Sequence, residues 1–289
     1  MPQAHKKPFG LALRSTVFGP TLAARIVPLL DGSKASSVWF PSVGKNFDSL
    51  DLCGVSLGRS DRILVGTGVI RPADYEYSTL LVRFHTLAEL SAGRFVLGLG
   101  TGGGVGREAL DSLIGYARKL KADYPERSKP PIFLAALKKR ALRAAYENAD
   151  GAILNFCPPD YVRRIIPGGV SPQQNFVLAC YIKLFFAEKD ETARKMLVDE
   201  IRSYSRLPQY RAMFDEAGVS GPIDGLDSSG KHIPEDVLEI SLANPSDAEV
   251  VRFMSRFADA GVDLPILYPY VSGSDAFKAE VVQRLAGPA

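Results

Sequence analysis

The residues most suggestive of chemistry are the glycines that end the run 95–104, which reads Phe-Val-Leu-Gly-Leu-Gly-Thr-Gly-Gly-Gly. Its first half, Phe95–Leu99, is short and mostly apolar, which predicts a buried strand. Glycine then lets the backbone approach a ligand closely and offer its N–H groups to it. We therefore expect the functional site where this strand ends.

Gly98, Gly100 and Gly103 also match the spacing G-x-G-x-x-G, which raises a dinucleotide-binding fold as an alternative. That fold carries the motif in its first strand-to-helix turn and an acidic residue at the end of a second strand. Here the motif falls on the fourth predicted strand, and Asp123 follows a helical pattern instead. The spacing therefore favours a different α/β fold.

The elements around the glycine run alternate along the whole chain. The predicted strands are 9–13, 37–40, 63–69, 95–99, 132–136, 151–154, part of 176–186, and 264–268. The helical patterns between and after them are 22–30, 50–57, 78–90, 107–120, 140–148, 161–166, 191–204 and 276–285. Eight strand–helix alternations predict an α/β protein with a (β/α)8 TIM barrel.

The segment 208–260 interrupts this alternation. No strand is apparent in it, whereas helical spacing returns in Val237–Leu242 and from Val250 to Ala260. We interpret it as a helical insertion between strands 7 and 8 of a single domain over residues 1–289.

Composition excludes several classes of partner. The chain has 35 basic and 32 acidic side chains, spread along its length, which gives no nucleic-acid or membrane signature. Its three cysteines are too few and too far apart for a zinc motif or a disulfide framework, so no metal is expected. Without a signal peptide or a long apolar run, the expected location is the cytoplasm.

Residues 86–102 resemble the helix-to-strand segment of the luciferase-like flavin monooxygenase superfamily, whose members often read T-L-x-x-L-S-x-G-R-x-x-L-G-x-G. Four weaker matches follow in the same order along the chain. They are Gly66-Thr67-Gly68-Val69, Ile132–Leu137, Ala149–Asn155 and Ala260–Asp263. The first and third of these are most similar to the deazaflavin branch, which uses coenzyme F-420, although both also occur in users of flavin mononucleotide (FMN).

The resemblance implies an oxidoreductase, a dimer by analogy, that transfers a hydride between coenzyme F-420 and a small organic substrate. Two alternatives stay open. One is an FMN-dependent monooxygenase, and the other is a non-redox member of the fold that binds a ligand or a protein. Relatives often carry an Asp-His pair after strand 2 and an acid after strand 4. Because Ser42-Val43-Gly44 and Thr101-Gly102-Gly103 stand there instead, no catalytic residue is assigned.

The resemblance also implies where a cofactor binds. A non-proline cis peptide that supports the ring in the family matches Gly68-Val69. The family's phosphate loop matches Leu137-Lys138-Lys139, followed by Arg140, where three cations stand in place of the glycines common in that loop. Cations that open a helix oppose its dipole, which favours a bound anion over a merely solvated face. The candidate cofactor-binding residues are Trp39, Gly68, Val69, Gly100, Thr101, Ala136, Leu137, Lys138, Lys139 and Asn155.

Overall fold

Eight parallel strands close into a barrel in the computed structural model, which describes residues 8–42, 46–124, 129–169 and 175–287. The strands of these residues are β1 Gly10–Ala12, β2 Ser37–Phe40, β3 Leu64–Thr67, β4 Phe95–Leu99, β5 Ile132–Ala135, β6 Gly151–Asn155, β7 Val177–Ala187, β8 Ser241–Ala243 and β9 Leu264–Ser272. The barrel order is β1-β2-β3-β4-β5-β6-β7-β9, and β9 pairs with β1 to close it. The predicted (β/α)8 fold is confirmed, and a dinucleotide-binding open sheet is excluded.

Helices surround this barrel. In the described residues they are α1 Ser15–Leu30, α2 Ser49–Leu57, α3 Tyr77–Ser91, α4 Gly106–Ala122, α5 Lys139–Asn148, α6 Pro159–Ile165, α7 Asp190–Ser205, α8 Pro208–Ala217, α9 Ser220–Asp224, α10 Glu235–Leu238, α11 Asp247–Asp259 and α12 Asp275–Ala286. A 3-10 turn, Pro72–Asp74, follows β3. None of these helices is long and apolar enough to cross a membrane.

The short strand β8 corrects the prediction of a purely helical insertion between strands 7 and 8. It occupies Ser241–Ala243, inside a stretch whose spacing predicted a helix, and only α10 remains helical there. The reason is the unequal length of its neighbours. Strand β7 has 11 residues and β6 has 5, so β7 continues past β6 and offers an unpaired edge. Strand β8 pairs with Lys183–Phe185 on β7 and satisfies backbone groups there.

Trp39 fills the inside of the barrel. Its ring is 1% exposed and lies 5.8 Å, centroid to centroid, from that of Phe133. A Cβ atom at Gly66 would come within 2.6 Å of this ring, and one at Gly10 within 2.9 Å. The neighbouring strands β1 and β3 therefore each have a glycine at the position that contacts the Trp39 indole. The barrel interior is closely packed around this ring.

Candidate functional site

A cavity of about 770 Å³ opens at the carboxyl ends of β3 to β7, which is the end of a TIM barrel that carries active sites. Its lining residues come mostly from the loops after β3, β4 and β5, from β6 and β7, and from the segment around α8. They are Pro41, Ser42, Gly68, Val69, Arg71, Gly100, Thr101, Gly102, Gly104, Val105, Gly106, Leu110, Ala135, Ala136, Leu137, Lys138, Arg140, Ala141, Ile153, Asn155, Tyr181, Tyr204, Pro208, Gln209, Tyr210, Ala212 and Tyr268.

The peptide bond between Gly68 and Val69, after β3, is cis, as the resemblance predicts. Two close contacts surround it. A side chain at position 68 would overlap the Tyr181 hydroxyl group, and a Cβ atom at Gly100 would lie 2.5 Å from Val69 Cγ2. Glycine is therefore required at position 68 to leave room for the Tyr181 hydroxyl group, and at position 100 to leave room for the Val69 side chain.

The glycine run forms a turn that leads into α4. Thr101 Oγ1 donates a hydrogen bond to the Gly104 carbonyl oxygen at 2.9 Å, and Gly102 and Gly106 have φ values of 64° and 88°. Helices α4 and α5 both begin at the cavity, and in neither does a capping side chain accept from the first N–H groups. Those N–H groups and the positive ends of the helix dipoles can bind an anion.

Cationic side chains lie beside these helix ends. Arg71 lines the cavity and forms an ion pair with Asp74 at 2.6 Å. Lys138 also lines it, but its ammonium group forms an ion pair with Glu216 on α8. Arg140 lines the cavity and has no ion pair within the described part of the chain. The neighbouring Lys139 does not line the cavity, so the cation available to a ligand at the start of α5 is Arg140.

A wall of tyrosines forms the side of the cavity near β7, β9 and the α7–α8 segment. It consists of Tyr181, Tyr204, Tyr210 and Tyr268. The ring centroids of Tyr181 and Tyr268 are 5.1 Å apart, and those of Tyr204 and Tyr210 are 4.5 Å apart. Burial raises the pKa of the Tyr181 and Tyr210 hydroxyl groups well above their usual range. Both groups therefore stay neutral at ordinary pH.

Behind this wall lies a charged network. Lys183 on β7 is fully buried, and its Nζ is 2.8 Å from Glu200 Oε1 and 3.6 Å from the centroid of the Tyr204 ring. Arg14 approaches the same carboxylate oxygen at 3.3 Å. Burial opposes ionisation of Glu200, but the charge and hydrogen bond of Lys183, together with the Tyr270 hydrogen bond and the Arg14 charge, hold the pKa of Glu200 below its usual range. This network connects β7 to α7 and supports the tyrosine wall.

The structure brings eight of the ten candidate cofactor-binding residues to one cavity. They are Gly68, Val69, Gly100, Thr101, Ala136, Leu137, Lys138 and Asn155. Trp39 lies in the packed barrel interior instead, because its side chain points between Gly10 and Gly66, and Lys139 lies outside the cavity. Val43 and Gly44 are outside the described residues.

Sequence reasoning missed the tyrosine wall. Its signal is weak but present, since β7 carries Tyr181 and Lys183, and β9 carries Tyr268 and Tyr270, at alternate positions of otherwise apolar strands. Alternate residues of a strand share one face. Polar side chains on the inner face of two adjacent barrel strands indicate a polar patch in the barrel mouth.

Residues 10–118 match the family model of the luciferase-like monooxygenases. This match confirms the predicted resemblance to the luciferase-like superfamily. No curated protein matches the chain.

Solved structures share the fold over nearly the whole chain. An F420-dependent secondary alcohol dehydrogenase in complex with an F420-acetone adduct has a TM-score of 0.74 at 14% identity, over 97% of this chain and 98% of that one. The coenzyme F420-dependent tetrahydromethanopterin reductase from Methanopyrus kandleri has a TM-score of 0.66 at 17% identity, over 96% and 98%. The oxygenating constituent of 3,6-diketocamphane monooxygenase from Pseudomonas putida, in complex with FMN, has a TM-score of 0.65 at 14% identity, over 97% and 98%.

Proposed function

We propose that this chain is an oxidoreductase that binds coenzyme F-420 in the cavity and transfers a hydride between it and a small organic substrate. The main observation behind this proposal is that two features lie in the same cavity. One side has uncapped helix starts with Arg71 and Arg140, and the other has an apolar and tyrosine-lined slot beside the cis bond. A flat ring with an anionic tail requires such a combination.

The described residues fit a ring cofactor of this kind. Val69 and Ile153 offer apolar surface, whereas Arg71, Arg140 and the first N–H groups of α4 and α5 would hold the phosphate. Two buried polar atoms on the cavity wall, belonging to Tyr181 and Asn155, have no partner in the described structure and are available to the ligand. The F420-dependent structural neighbours support the choice of deazaflavin.

The bound ring would supply the hydride acceptor or donor, and the protein would supply orientation. The lining residues in the described part of the chain include no histidine, aspartate or glutamate. Their hydroxyl and amide groups, on Tyr181, Tyr210 and Asn155, would hold a substrate or ring by neutral hydrogen bonds, and the tyrosine wall would limit the access of water.

An FMN-dependent monooxygenase is the second candidate. The ion pair between Lys138 and Glu216 favours it, because it removes one cation that the longer anionic tail of coenzyme F-420 could use. The FMN complex among the structural neighbours agrees with this reading. A dimeric, cytoplasmic enzyme is part of either proposal.

The test is a binding titration of the purified ligand-free protein with coenzyme F-420 and with FMN, followed by absorbance and calorimetry. We expect saturable one-to-one binding of F-420 that is at least tenfold tighter than that of FMN. Tight binding of FMN alone would replace the deazaflavin proposal by the monooxygenase. Binding of neither would favour a non-redox member of the fold.

A further inference from the structure

Two buried polar atoms on the cavity wall have no hydrogen-bond partner within the described residues: Tyr181 Oη and Asn155 Oδ1. Tyr181 is only 4% exposed. Buried polar groups in folded proteins are nearly always hydrogen-bonded, and an unmade bond costs free energy. Both atoms line a space large enough for a ligand, so we expect the missing partners to come from one.

The two side chains are neighbours by strand register. Asn155 on β6 and Tyr181 on β7 are directly paired residues of a parallel ladder, and both line the cavity. Asn155 Nδ2 donates a hydrogen bond to Tyr210 Oη at 2.7 Å. This bond fixes the carboxamide and leaves its oxygen as the free atom. The Tyr181 hydroxyl stands against Gly68, where a side chain would overlap it.

The chemistry of the pair is that of one neutral donor beside one neutral acceptor. Burial, with a smaller contribution from Tyr268, raises the pKa of Tyr181 well above its usual range, so the hydroxyl keeps its proton and can donate it in a hydrogen bond. Asn155 Oδ1 can only accept. A charged ligand group would be poorly matched here, whereas a ligand with an adjacent carbonyl oxygen and N–H group would satisfy both atoms.

We propose that Tyr181 and Asn155 recognise the lactam edge of the cofactor's pyrimidine ring. The Tyr181 hydroxyl donates to a ring carbonyl oxygen, and Asn155 Oδ1 accepts from the adjacent ring N3–H. This inference rests on the proposed function, in which the ring binds in this cavity. Flavin and deazaflavin share the lactam edge. Tyr181 and Asn155 would therefore bind either ring and would not discriminate between FMN and coenzyme F-420.

The experiment compares wild type with Tyr181→Phe, and uses Tyr116→Phe as the matched control. Tyr116 Oη is likewise buried without a partner, but Tyr116 lies on α4 outside the cavity, against Tyr77. Each protein is titrated with FMN and with coenzyme F-420, and with the N3-methyl derivative of each ring, which has lost the N–H group. Thermal melting of the ligand-free proteins reports folding.

We expect Tyr181→Phe to weaken binding of the unmodified cofactor about three- to tenfold, since one neutral hydrogen bond is lost. Tyr116→Phe should bind as wild type does. The N3-methyl derivative of each cofactor should bind to wild type more weakly than the unmodified cofactor, by at least the factor that Tyr181→Phe causes. Both variants should melt at or above the wild-type temperature, because each removes an unsatisfied buried hydroxyl.

Equal affinity of wild type and Tyr181→Phe for a cofactor that wild type binds would overturn the inference and leave the proposed function standing. Unchanged affinity for the N3-methyl ring would overturn it in the same way. If wild type binds neither cofactor, the proposed function itself fails, and the inference falls with it. The wild-type titration therefore separates the two failures.

Discussion

At the scale of single residues, Arg140 and Lys139 form a natural pair for comparison. They are adjacent cations at the start of α5, but only Arg140 lines the cavity. Arg140→Ala should weaken binding of the cofactor by about 1 kcal/mol, roughly fivefold, because a charge-assisted bond at an exposed position is discounted by solvent. Lys139→Ala is the control and should change the affinity less than twofold, roughly 0.4 kcal/mol.

The measurement is titration calorimetry of both variants at low and high salt. The difference between them should shrink as salt rises, since exposed charges are screened. If the two variants lose the same amount of cofactor affinity, the anion is attracted by the general positive charge at the start of α5 and not by the position of Arg140.

These two residues also show what a sequence can specify about a site. The basic run and the glycines mark the correct loops, because local spacing sets where strands end and helices begin. Which cation of the run faces the cavity depends on the rotation of α5 against the barrel, and whether Lys138 is free depends on Glu216, which is 78 positions away. Such tertiary pairings leave no local pattern.

At the scale of elements, the contact of β7 with α7 depends on a buried ion pair. Lys183 is fully buried, and Glu200 neutralises it at 2.8 Å. Glu200→Gln leaves this ammonium uncompensated and should lower the free energy of unfolding by about 3 kcal/mol at neutral pH. Asp199→Asn is the control, since Asp199 pairs with Lys195 in an exposed position on the same helix, and should cost below about 0.5 kcal/mol.

The loss of unfolding free energy in Glu200→Gln should become smaller as the pH falls. The pKa of Glu200 is lower in the folded protein than its usual value near 4.3, so its ionised form contributes stability above that pH and loses it as the pH falls through the folded value. Urea unfolding of wild type and Glu200→Gln between pH 3 and 7 should therefore show curves that converge at the acidic end. A constant difference would contradict an ionic origin.

The fold was predictable at this scale because apolar residues recur at different spacings in strands and in helices. All eight barrel strands stand where the alternation predicts them, and β2 and β4 match to the residue. Strand β8 was wrongly predicted as helix, because three residues carry too little periodicity and its pairing depends on the exposed edge of a longer neighbour. Length mismatch between β6 and β7 becomes visible only once the barrel is closed.

At the scale of the whole molecule, the segment after α7 has no core of its own. Met213, Phe214 and Val237 are fully buried and belong to the same hydrophobic cluster as the barrel. One domain over residues 1–289 stays a prediction. Barrel and inserted helices should then unfold together in a single cooperative transition.

Trp39 makes this prediction measurable. It is the only tryptophan of the chain and lies inside the barrel, so its fluorescence reports the barrel alone. Far-ultraviolet circular dichroism reports all helices, including α8 to α10. In urea the two signals should change at one midpoint with the same slope, since both follow the same transition. If the helical signal falls at lower urea than Trp39 fluorescence, the inserted segment is a separately unfolding unit, and the wall that α8 contributes to the cavity opens before the barrel does.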